Sequence, residues 1–518
     1  MERRPKYGIG QQSFEVLRNQ ECVYVDKTRF IEKIVESGGL YYFLGRPRRF
    51  GKSLFLSTLK CFFQGKRELF RGLYAERMNW DWEPHPVLHL DLNIEKYQNK
   101  RSLYEVVDNL LQEWEKLYGV ANISGNISIR FHNVIKRAYE VTGKGVIILV
   151  DEYDKPLVSN LHNNEMFEFY REELSLLYTN LKSSAEYLRL VFLTGVSRFG
   201  HISVFSGLNN IKDISFDDTF SDLCGITEDE VREYFTTGIS ELASKFGKRK
   251  DAVLLDLKKR YDGYKFSAYG KEIYNPFSII NAMEDMAFRN YWISSGQPTL
   301  LWKQLSRFDI DLSAVINTQC KLESLSWLDL ENSSPVPLLY QTGYLTIKHY
   351  DPEFDIVSLG LPNTEVTDGF MNYLLPRYVN IQNNDPAYFI RNIVMDMRHG
   401  KVDDFMNRLK SFFAGISYEM RMDEERNLHN ALLVFMKLIG LHTETEYRTS
   451  NGRIDLFIKT DRYYYIIELK LDKSAREALD QINAKDYALP FATDGREIIK
   501  IGINFSTETR TISEWIAE

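Results

Sequence analysis

Cysteine is scarce in this chain and is never clustered. The four cysteines lie far apart in 518 residues, and no C-x-x-C pair occurs. Neither a cysteine-based zinc site nor a disulfide framework is therefore predicted, and a reducing cytoplasm is the expected compartment. These four residues are Cys22, Cys61, Cys224 and Cys320.

Long hydrophobic runs are also missing. The longest runs, such as 146–150, have the length of a strand, and none approaches the ~18 apolar residues of a membrane span. The start, MERRPKYGIG, lacks the apolar segment of a signal peptide. We therefore expect no membrane span and no membrane partner.

The third absence is an excess of positive charge. The net charge is -7, so the composition is unlike that of a basic nucleic-acid coat protein, and any contact with nucleic acid would need a local basic groove. Hydrophobic residues make up 44% of the chain, which is enough to build real cores. The length predicts about three domains.

Strand-length apolar runs alternate with helical patterns in the first half of the chain. This alternation predicts a parallel sheet that is covered on both faces. The T-E-D-E sequence at Thr227 predicts a capping box, and helical patterns then dominate to about Leu375 without a long apolar strand. Strands are predicted at 40–44, 86–92, 146–150 and 188–193, and helices at 52–63, 102–117 and 165–181.

The third region is α/β again, with a helix predicted from Asp423 to Gly440 and strands at 453–458 and 463–469. The predicted fold class is α/β, with a P-loop NTPase parallel sheet, a helical middle region and a C-terminal restriction-endonuclease-like α/β domain. The predicted domains are a P-loop domain at 7–226, a mainly helical lid or connecting region at 227–380 and a nuclease-like domain at 381–518.

The segment G-R-P-R-R-F-G-K-S at 45–53 follows a predicted strand and opens a predicted helix, as a phosphate-binding loop must. Main-chain N–H groups of such a loop capture phosphate, while Lys52 would reach the β- and γ-phosphates and Ser53 would hold Mg²⁺. The first glycine stands one residue earlier than in G-x-x-x-x-G-K-[ST]. On the general motif alone, a chance Gly-Lys-Ser is an equal alternative.

A buried strand at 146–150 ends in Asp151 and Glu152, as a Walker B strand does. Asp151 would bind Mg²⁺ and Glu152 would polarise the attacking water. Thr194 ends the next strand and either senses the γ-phosphate or merely closes the strand. Arg198 is predicted to be an exposed surface residue. The arginines at 46, 48 and 49 could face phosphates, DNA or a subunit interface.

Several motifs together resemble the AAA-ATPase-like family of prokaryotic P-loop proteins. They are Y-V-D-K-T at 24–28, R-P-R-R-F-G-K-S at 46–53, V-D-E-Y-D-K-P at 150–156, T-G-V-S-R at 194–198 and Y-D-G-Y-K-F at 261–266. The resemblance covers roughly residues 7–280 and implies binding of ATP with Mg²⁺. The residues predicted to contact the nucleotide are Arg49, Phe50, Gly51, Lys52, Ser53, Leu54, Asp151 and Thr194.

Acidic and basic residues recur on two predicted strands near the C-terminus. Glu468 and Lys470 share one strand face, and a turn near 461–462 would bring Asp455 towards Glu468. Two carboxylates can share Mg²⁺, which activates water, and Lys470 would offset developing charge. Glu425 with His429 could add a further ligand on a helix. Candidate phosphate contacts are Gln481, Lys485 and Tyr487.

A bare D…E-x-K pattern is common by chance, but the ordered set of motifs around it rarely occurs by chance. A helical Glu, G-R-x-D, an apolar E-x-K strand and a Q-x-x-x-K-x-Y helix resemble the PD-(D/E)XK nuclease superfamily over about 415–510. The resemblance implies that Asp455, Glu468 and Lys470 are catalytic, with Gln481 auxiliary and Glu425 as a further candidate. Ile454 stands where the motif has proline.

Two functions remain open from the sequence. One is an enzyme that binds and hydrolyses ATP and has a Mg²⁺-dependent nuclease domain that cleaves DNA or RNA. The other is a nucleotide-dependent switch or scaffold that binds nucleic acid without cutting it. Both have nucleic acid as the expected partner, DNA in preference to RNA, and both allow a homo-oligomer.

Overall fold

The protein is described by a computed structural model that covers residues 4–120, 125–199, 210–295, 318–326, 328, 334–370, 386–414, 432, 442–449 and 451–518. The described residues within Met1–Phe308 and Asn317–Glu365 form one compact unit, and those within Val366–Glu518 form a second. The domain boundaries predicted near 226 and 380 stay predictions.

The first unit is built on a five-stranded sheet of order β2-β3-β4-β1-β5, in which every pairing is parallel. All six residues of β3 are buried, because helices cover both faces of a parallel sheet. The fold class predicted for this region is confirmed. The strands are β1 (Tyr41–Gly45), β2 (Val87–Asp91), β3 (Val146–Asp151), β4 (Leu188–Gly195) and β5 (Lys212–Asp213).

Helices of the first unit pack apolar faces on this sheet and on one another. In α3, Phe55, Leu56, Leu59, Phe62 and Phe63 are buried, and each such side chain stabilises the fold by about 1.5–3 kcal/mol relative to exposure. The helices flanking the strands are α1 (Phe14–Asn19), α2 (Arg29–Glu36), α3 (Lys52–Phe63), α4 (Ser102–Tyr118), α5 (Ile127–Thr142), α6 (Lys155–Ser159) and α7 (Asn164–Ser183).

In the region predicted to be mainly helical, Thr227 and Glu230 form the expected capping box. This region also contains a small antiparallel sheet of order β6-β8-β7, which the sequence did not reveal. Its elements are α8 (Glu228–Tyr234), α9 (Thr236–Phe246), α10 (Lys250–Tyr261), α11 (Pro276–Asp285), α12 (Tyr291–Ser295), β6 (Gln319–Lys321), α13 (Val336–Gln341), β7 (Thr346–Asp351) and β8 (Ile356–Gly360).

The second unit contains a mixed sheet of order β13-β12-β11-β10-β9, in which only β11 and β12 run parallel. Among the described residues, no helix of either unit is long and apolar enough to cross a membrane. The elements are α14 (Pro386–Arg398), α15 (Val402–Ala414), β9 (His442–Thr449), β10 (Gly452–Lys459), β11 (Tyr463–Leu471), α16 (Ala475–Ala484), β12 (Glu497–Ser506) and β13 (Thr511–Ala517).

Candidate functional sites

The loop between β1 and α3 has the main-chain shape of an anion cradle. Gly51 caps α3 in the left-handed conformation with φ 97°, which a residue with a side chain adopts only under strain. Arg49 also has a positive φ, of 68°. Left-handed residues in a short loop turn successive N–H groups towards one point, and the N-terminus of α3 adds its own free N–H groups.

The Lys52 side chain lies inside this loop. It is 5% exposed, and its Nζ donates hydrogen bonds to the carbonyl oxygens of Arg46 (2.9 Å) and Pro47 (3.1 Å). The ammonium is thus held at the loop by neutral acceptors. A phosphate oxygen would be a stronger acceptor, because hydrogen bonds between two charged groups are roughly twice as strong as neutral ones.

A cavity of about 380 Å³ opens beside the loop, entirely within the first unit. Acidic and hydroxyl side chains line its wall opposite the loop, and aromatic residues line another part. Five predicted nucleotide contacts line it: Arg49, Gly51, Lys52, Ser53 and Leu54. The other wall residues include Glu152, Asp154, Ser197, Phe277, Trp292 and Tyr344.

Asp151 ends β3 and is 5% exposed. The Thr194 hydroxyl, at the end of the neighbouring strand β4, donates a 2.6 Å hydrogen bond to Asp151 Oδ1. Thr194 therefore orients the Asp151 carboxylate in this structure. Glu152 follows with φ 49°, a main-chain conformation that is uncommon outside glycine and clusters at functional sites.

Asp154 is a site residue that the sequence reasoning missed. Its buried carboxylate accepts hydrogen bonds from the main-chain N–H groups of Val196 (3.1 Å) and Ser197 (2.7 Å), just after β4. Burial raises the pKa of Asp154 to about 6, against the lowering effect of the Ser197 hydrogen bond. The second aspartate of the D-E-Y-D motif could have pointed to this residue, but its hydrogen-bond partners lie over forty residues away in the sequence.

Three predicted residues lie differently from what the sequence suggested. Arg198 is not an exposed surface residue, because it forms an ion pair with Asp213 and its side chain is 15% exposed. Arg46 is buried, and its guanidinium donates to the Ser215 carbonyl oxygen (2.7 Å), so it does not face phosphate or DNA. The Phe50 ring is also buried, which leaves only its main chain available to an anion.

The second candidate site lies on β10 and β11. These strands pair antiparallel, with Leu456 opposite Ile467. The next pair in this register places Asp455 opposite Glu468, and opposite residues lie on the same face of the sheet. The N–H of Leu469 donates to Asp455 Oδ2 at 2.9 Å. The hairpin predicted from the sequence therefore brings the two carboxylates together.

Glu468 is 2% exposed, and its Oε2 atom is buried with no hydrogen-bond partner among the described residues. Burial, and then the neighbouring Asp455 carboxylate, raise the pKa of Glu468 to about 7, while Lys470 opposes that rise. A buried carboxylate oxygen without a donor is costly unless a cation or proton satisfies it. This pair of carboxylates fits a hard divalent ion such as Mg²⁺.

Lys470 and Gln481 complete a connected polar group. Lys470 Nζ donates to Gln481 Oε1 (2.6 Å), and Gln481 Nε2 donates to Glu468 Oε1. Lys470 Nζ also lies 3.5 Å from Glu468 Oε1. The helix α16 can approach the sheet closely because Gly502 has no side chain: an added Cβ would lie 2.6 Å from the Leu479 nitrogen.

Tyr487 adjoins this group, although the sequence suggested only a phosphate contact for it. It lies just beyond α16, is 2% exposed, and its hydroxyl lies near the Gln481 side chain. A Cβ on Gly452 would lie 2.8 Å from its hydroxyl, so the glycine permits this approach. Lys485, its neighbour in the motif, is exposed.

The remaining predicted ligands, Glu425 and His429, lie outside the described residues, as does most of the helix predicted after Asp423. Within the part of the chain that the structure describes, no three His, Cys, Asp or Glu side chains cluster as a metal site would require. Among the described residues, Asp455 and Glu468 are the carboxylates that would hold an ion, with water or substrate oxygens adding to its coordination.

Comparison with known proteins gives the same two parts. The family described as predicted AAA-ATPase matches residues 8–205, and the PD-(D/E)XK nuclease superfamily matches residues 423–515. A protein of Azotobacter chroococcum mcd 1, "Uncharacterized protein in vnfD 5'region", is 33% identical over 535 residues, covering 99% of each chain. The chain therefore belongs to the family of AAA-ATPase-like proteins that carry a C-terminal PD-(D/E)XK nuclease superfamily domain.

Proposed function

We propose that the first unit binds and hydrolyses ATP with Mg²⁺ at the loop that ends in Gly51, Lys52 and Ser53. The support is Lys52, whose buried ammonium is held by two loop carbonyls beside a nucleotide-sized cavity. Ser53 and Asp151 would hold the ion, and Glu152 would position the attacking water. Bound Mg²⁺ supplies charge neutralisation for the transferred phosphoryl group.

Lys52→Ala tests the binding step. A lost charge-assisted hydrogen bond contributes about 1.5–3 kcal/mol, so the Kd for ATP should rise by about tenfold to a hundredfold. Equilibrium binding of a fluorescent ATP analogue measures this change, with Lys60→Ala on the same helix as the matched control. Unchanged affinity in Lys52→Ala would place the nucleotide elsewhere.

We further propose that the second unit is a Mg²⁺-dependent nuclease that acts on phosphodiesters of DNA in preference to RNA, in the cytoplasm of a prokaryote. The observation that carries this proposal is the buried Oε2 of Glu468 opposite Asp455, which has no hydrogen-bond partner in the part of the chain that the structure describes. When bound, the ion would activate water. Lys470 would stabilise developing negative charge, and the hydrogen bonds of Gln481 would hold the Lys470 and Glu468 side chains in position.

Cleavage assays on DNA and RNA with Mg²⁺, each with and without ATP, test the nuclease directly. Asp455→Ala should lose both metal binding and cleavage, whereas Lys470→Ala should keep the metal and lose cleavage by at least about a hundredfold. Asp461→Ala, in the exposed turn of the same hairpin, is the matched control. Nucleic-acid binding without cleavage in the parent protein would instead establish the switch or scaffold function.

A further inference from the structure

The phosphate-binding loop of this chain contains bulky residues where other loops of its kind are rich in glycine. Its conformation is held by contacts to the helical middle region of the same unit. The Phe50 ring packs against Tyr264 and Phe266 at centroid distances of 4.8 and 5.3 Å. The main chain of Gly343 lies so close to Pro47 that an added Cβ would meet the Pro47 Cβ at 2.9 Å.

The Arg48 carbonyl of the loop has a side-chain partner in the middle region. The indole Nε1–H of Trp292, on α12, donates a 3.0 Å hydrogen bond to the carbonyl oxygen of Arg48. The peptide is planar and trans, so fixing this carbonyl also fixes the N–H of Arg49, which points the opposite way. Arg49 has the positive φ that turns the loop, and Trp292 lines the nucleotide cavity.

Trp292 is itself held by a buried carboxylate. Its main-chain N–H donates to Glu365 Oε1 at 2.7 Å, and the Ser278 hydroxyl donates to Glu365 Oε2, also at 2.7 Å. Glu365 is fully buried and thus ties α11 to α12. The Tyr344 ring, 5.4 Å from the Trp292 ring, packs beside it.

We infer that Trp292 is a positioning residue for phosphate binding, which acts by fixing the Arg48–Arg49 peptide, and that Glu365 holds Trp292 in place. This inference rests on the proposed binding of ATP at this loop. This role of Trp292 explains how the R-P-R-R-F sequence keeps an anion-binding shape. The middle region supplies the constraints on the loop, whereas glycine-rich loops obtain them from their own main chain.

Trp292→Phe in the full-length chain tests the inference, because it removes the N–H donor and keeps an aromatic ring. The Kd for ATP should rise by about threefold to tenfold, the range of one lost neutral hydrogen bond. Trp114→Phe, in the α4–α5 layer and outside the cavity lining, makes the same chemical change and should leave ATP affinity unchanged. ATP should also change the tryptophan emission of the parent and of Trp114→Phe, but not that of Trp292→Phe.

The Glu365 step has its own pair of variants. Glu365→Ala should weaken ATP binding, and Glu365→Gln, which keeps an acceptor for the Trp292 N–H, should restore at least half of the loss on a logarithmic scale. Should Trp292→Phe not fold, this pair carries the test.

Parent-like ATP affinity in both Trp292→Phe and Glu365→Ala, or an emission change that persists in Trp292→Phe, would overturn the inference. Failure of the proposed ATP site is distinguishable, because Lys52→Ala would then bind ATP as the parent does. A weakened Lys52→Ala beside an unaffected Trp292→Phe would leave the ATP site standing and refute the role of Trp292 alone.

Discussion

At the scale of single residues, the role proposed for Glu152 concerns hydrolysis and not binding. Its side chain lines the cavity, and its N–H donates to Asp151 Oδ1 at 3.1 Å. A carboxylate that polarises water acts in the transition state and contributes little to ground-state affinity. We therefore expect Glu152→Gln to keep the parent Kd for ATP and to lose ATP turnover by about a hundredfold or more.

Phosphate release by Glu152→Gln and by the parent, measured at saturating ATP, checks this expectation. Glu165→Gln, an exposed glutamate at the start of α7, is the matched control. If Glu152→Gln lost binding and turnover together, Glu152 would be supporting the fold of the turn after β3 instead of the chemistry.

The buried Glu365 makes stability depend on pH. Burial raises its pKa from 4.5 to about 7, against the opposing Ser278 hydrogen bond. Between these two values the folded chain retains a proton that the unfolded chain has released, so stability falls as pH rises through this window. The free energy of unfolding should fall by on the order of 2–3 kcal/mol across this pH window.

Urea unfolding of the parent and of Glu365→Gln at pH 5 and pH 8 measures this effect. The parent should lose more stability than Glu365→Gln on going to pH 8, because glutamine carries no titrating proton. Equal losses in the two proteins would show that Glu365 has an ordinary pKa.

The site residues also show what sequence can predict at this scale. Glu468 and Lys470 are two residues apart on one strand, so the two-residue period of a β-strand alone predicts that their side chains lie on the same face. Asp154 and Trp292 could not be found in this way, because their partners are set by packing between elements distant in sequence. The error on Arg198 has the same origin, since its partner Asp213 belongs to β5.

At the scale of elements, the approach of α16 to β12 depends on Gly502. A Cβ there would overlap the Ala475 carbonyl oxygen and lie 2.6 Å from the Leu479 nitrogen, and main-chain atoms cannot move aside alone. Gly502→Ala should therefore push α16, with Gln481, away from Glu468. We expect a loss of about 1–3 kcal/mol in the stability of the second unit, as for other overpacked sites, and weaker Mg²⁺ binding.

Thermal unfolding and Mg²⁺ titration of Gly502→Ala measure these two effects. Gly125→Ala is the matched control, since an added Cβ there meets nothing within 4 Å. Unchanged stability and Mg²⁺ affinity in Gly502→Ala would mean that α16 shifts without disturbing the Gln481 contacts.

The predicted elements differ in accuracy for physical reasons. The helix α3 was predicted at its observed bounds, because glycine marks its start and apolar residues recur at helical spacing. The strands β6, β7 and β8 were missed: β6 has three residues, and β7 carries a Lys-His-Tyr-Asp run at its exposed end. Short, half-polar strands have too weak an alternation to be told from loops.

At the scale of the whole molecule, the two proposed sites lie in two compact units of one chain. The residues of each proposed site lie wholly within one unit, so removing one site should leave the intrinsic chemistry of the other intact. We expect Asp455→Ala to bind ATP with the parent Kd. We expect Lys52→Ala to retain whatever cleavage the parent shows without ATP, and to lose only the part that ATP adds.

The separation of the two sites allows regulation of the nuclease by ATP to be distinguished from a structural need of the nuclease for the ATP-binding loop. If ATP changes the affinity of the second unit for DNA by some factor, then DNA must change the affinity for ATP by the same factor. Lys470→Ala, which we expect to cut DNA only slowly, would allow both Kd values to be measured in one protein, with Glu152→Gln added to slow the hydrolysis of ATP. Loss of ATP-independent cleavage in Lys52→Ala would contradict separable sites and show that the loop is needed for the fold of the nuclease.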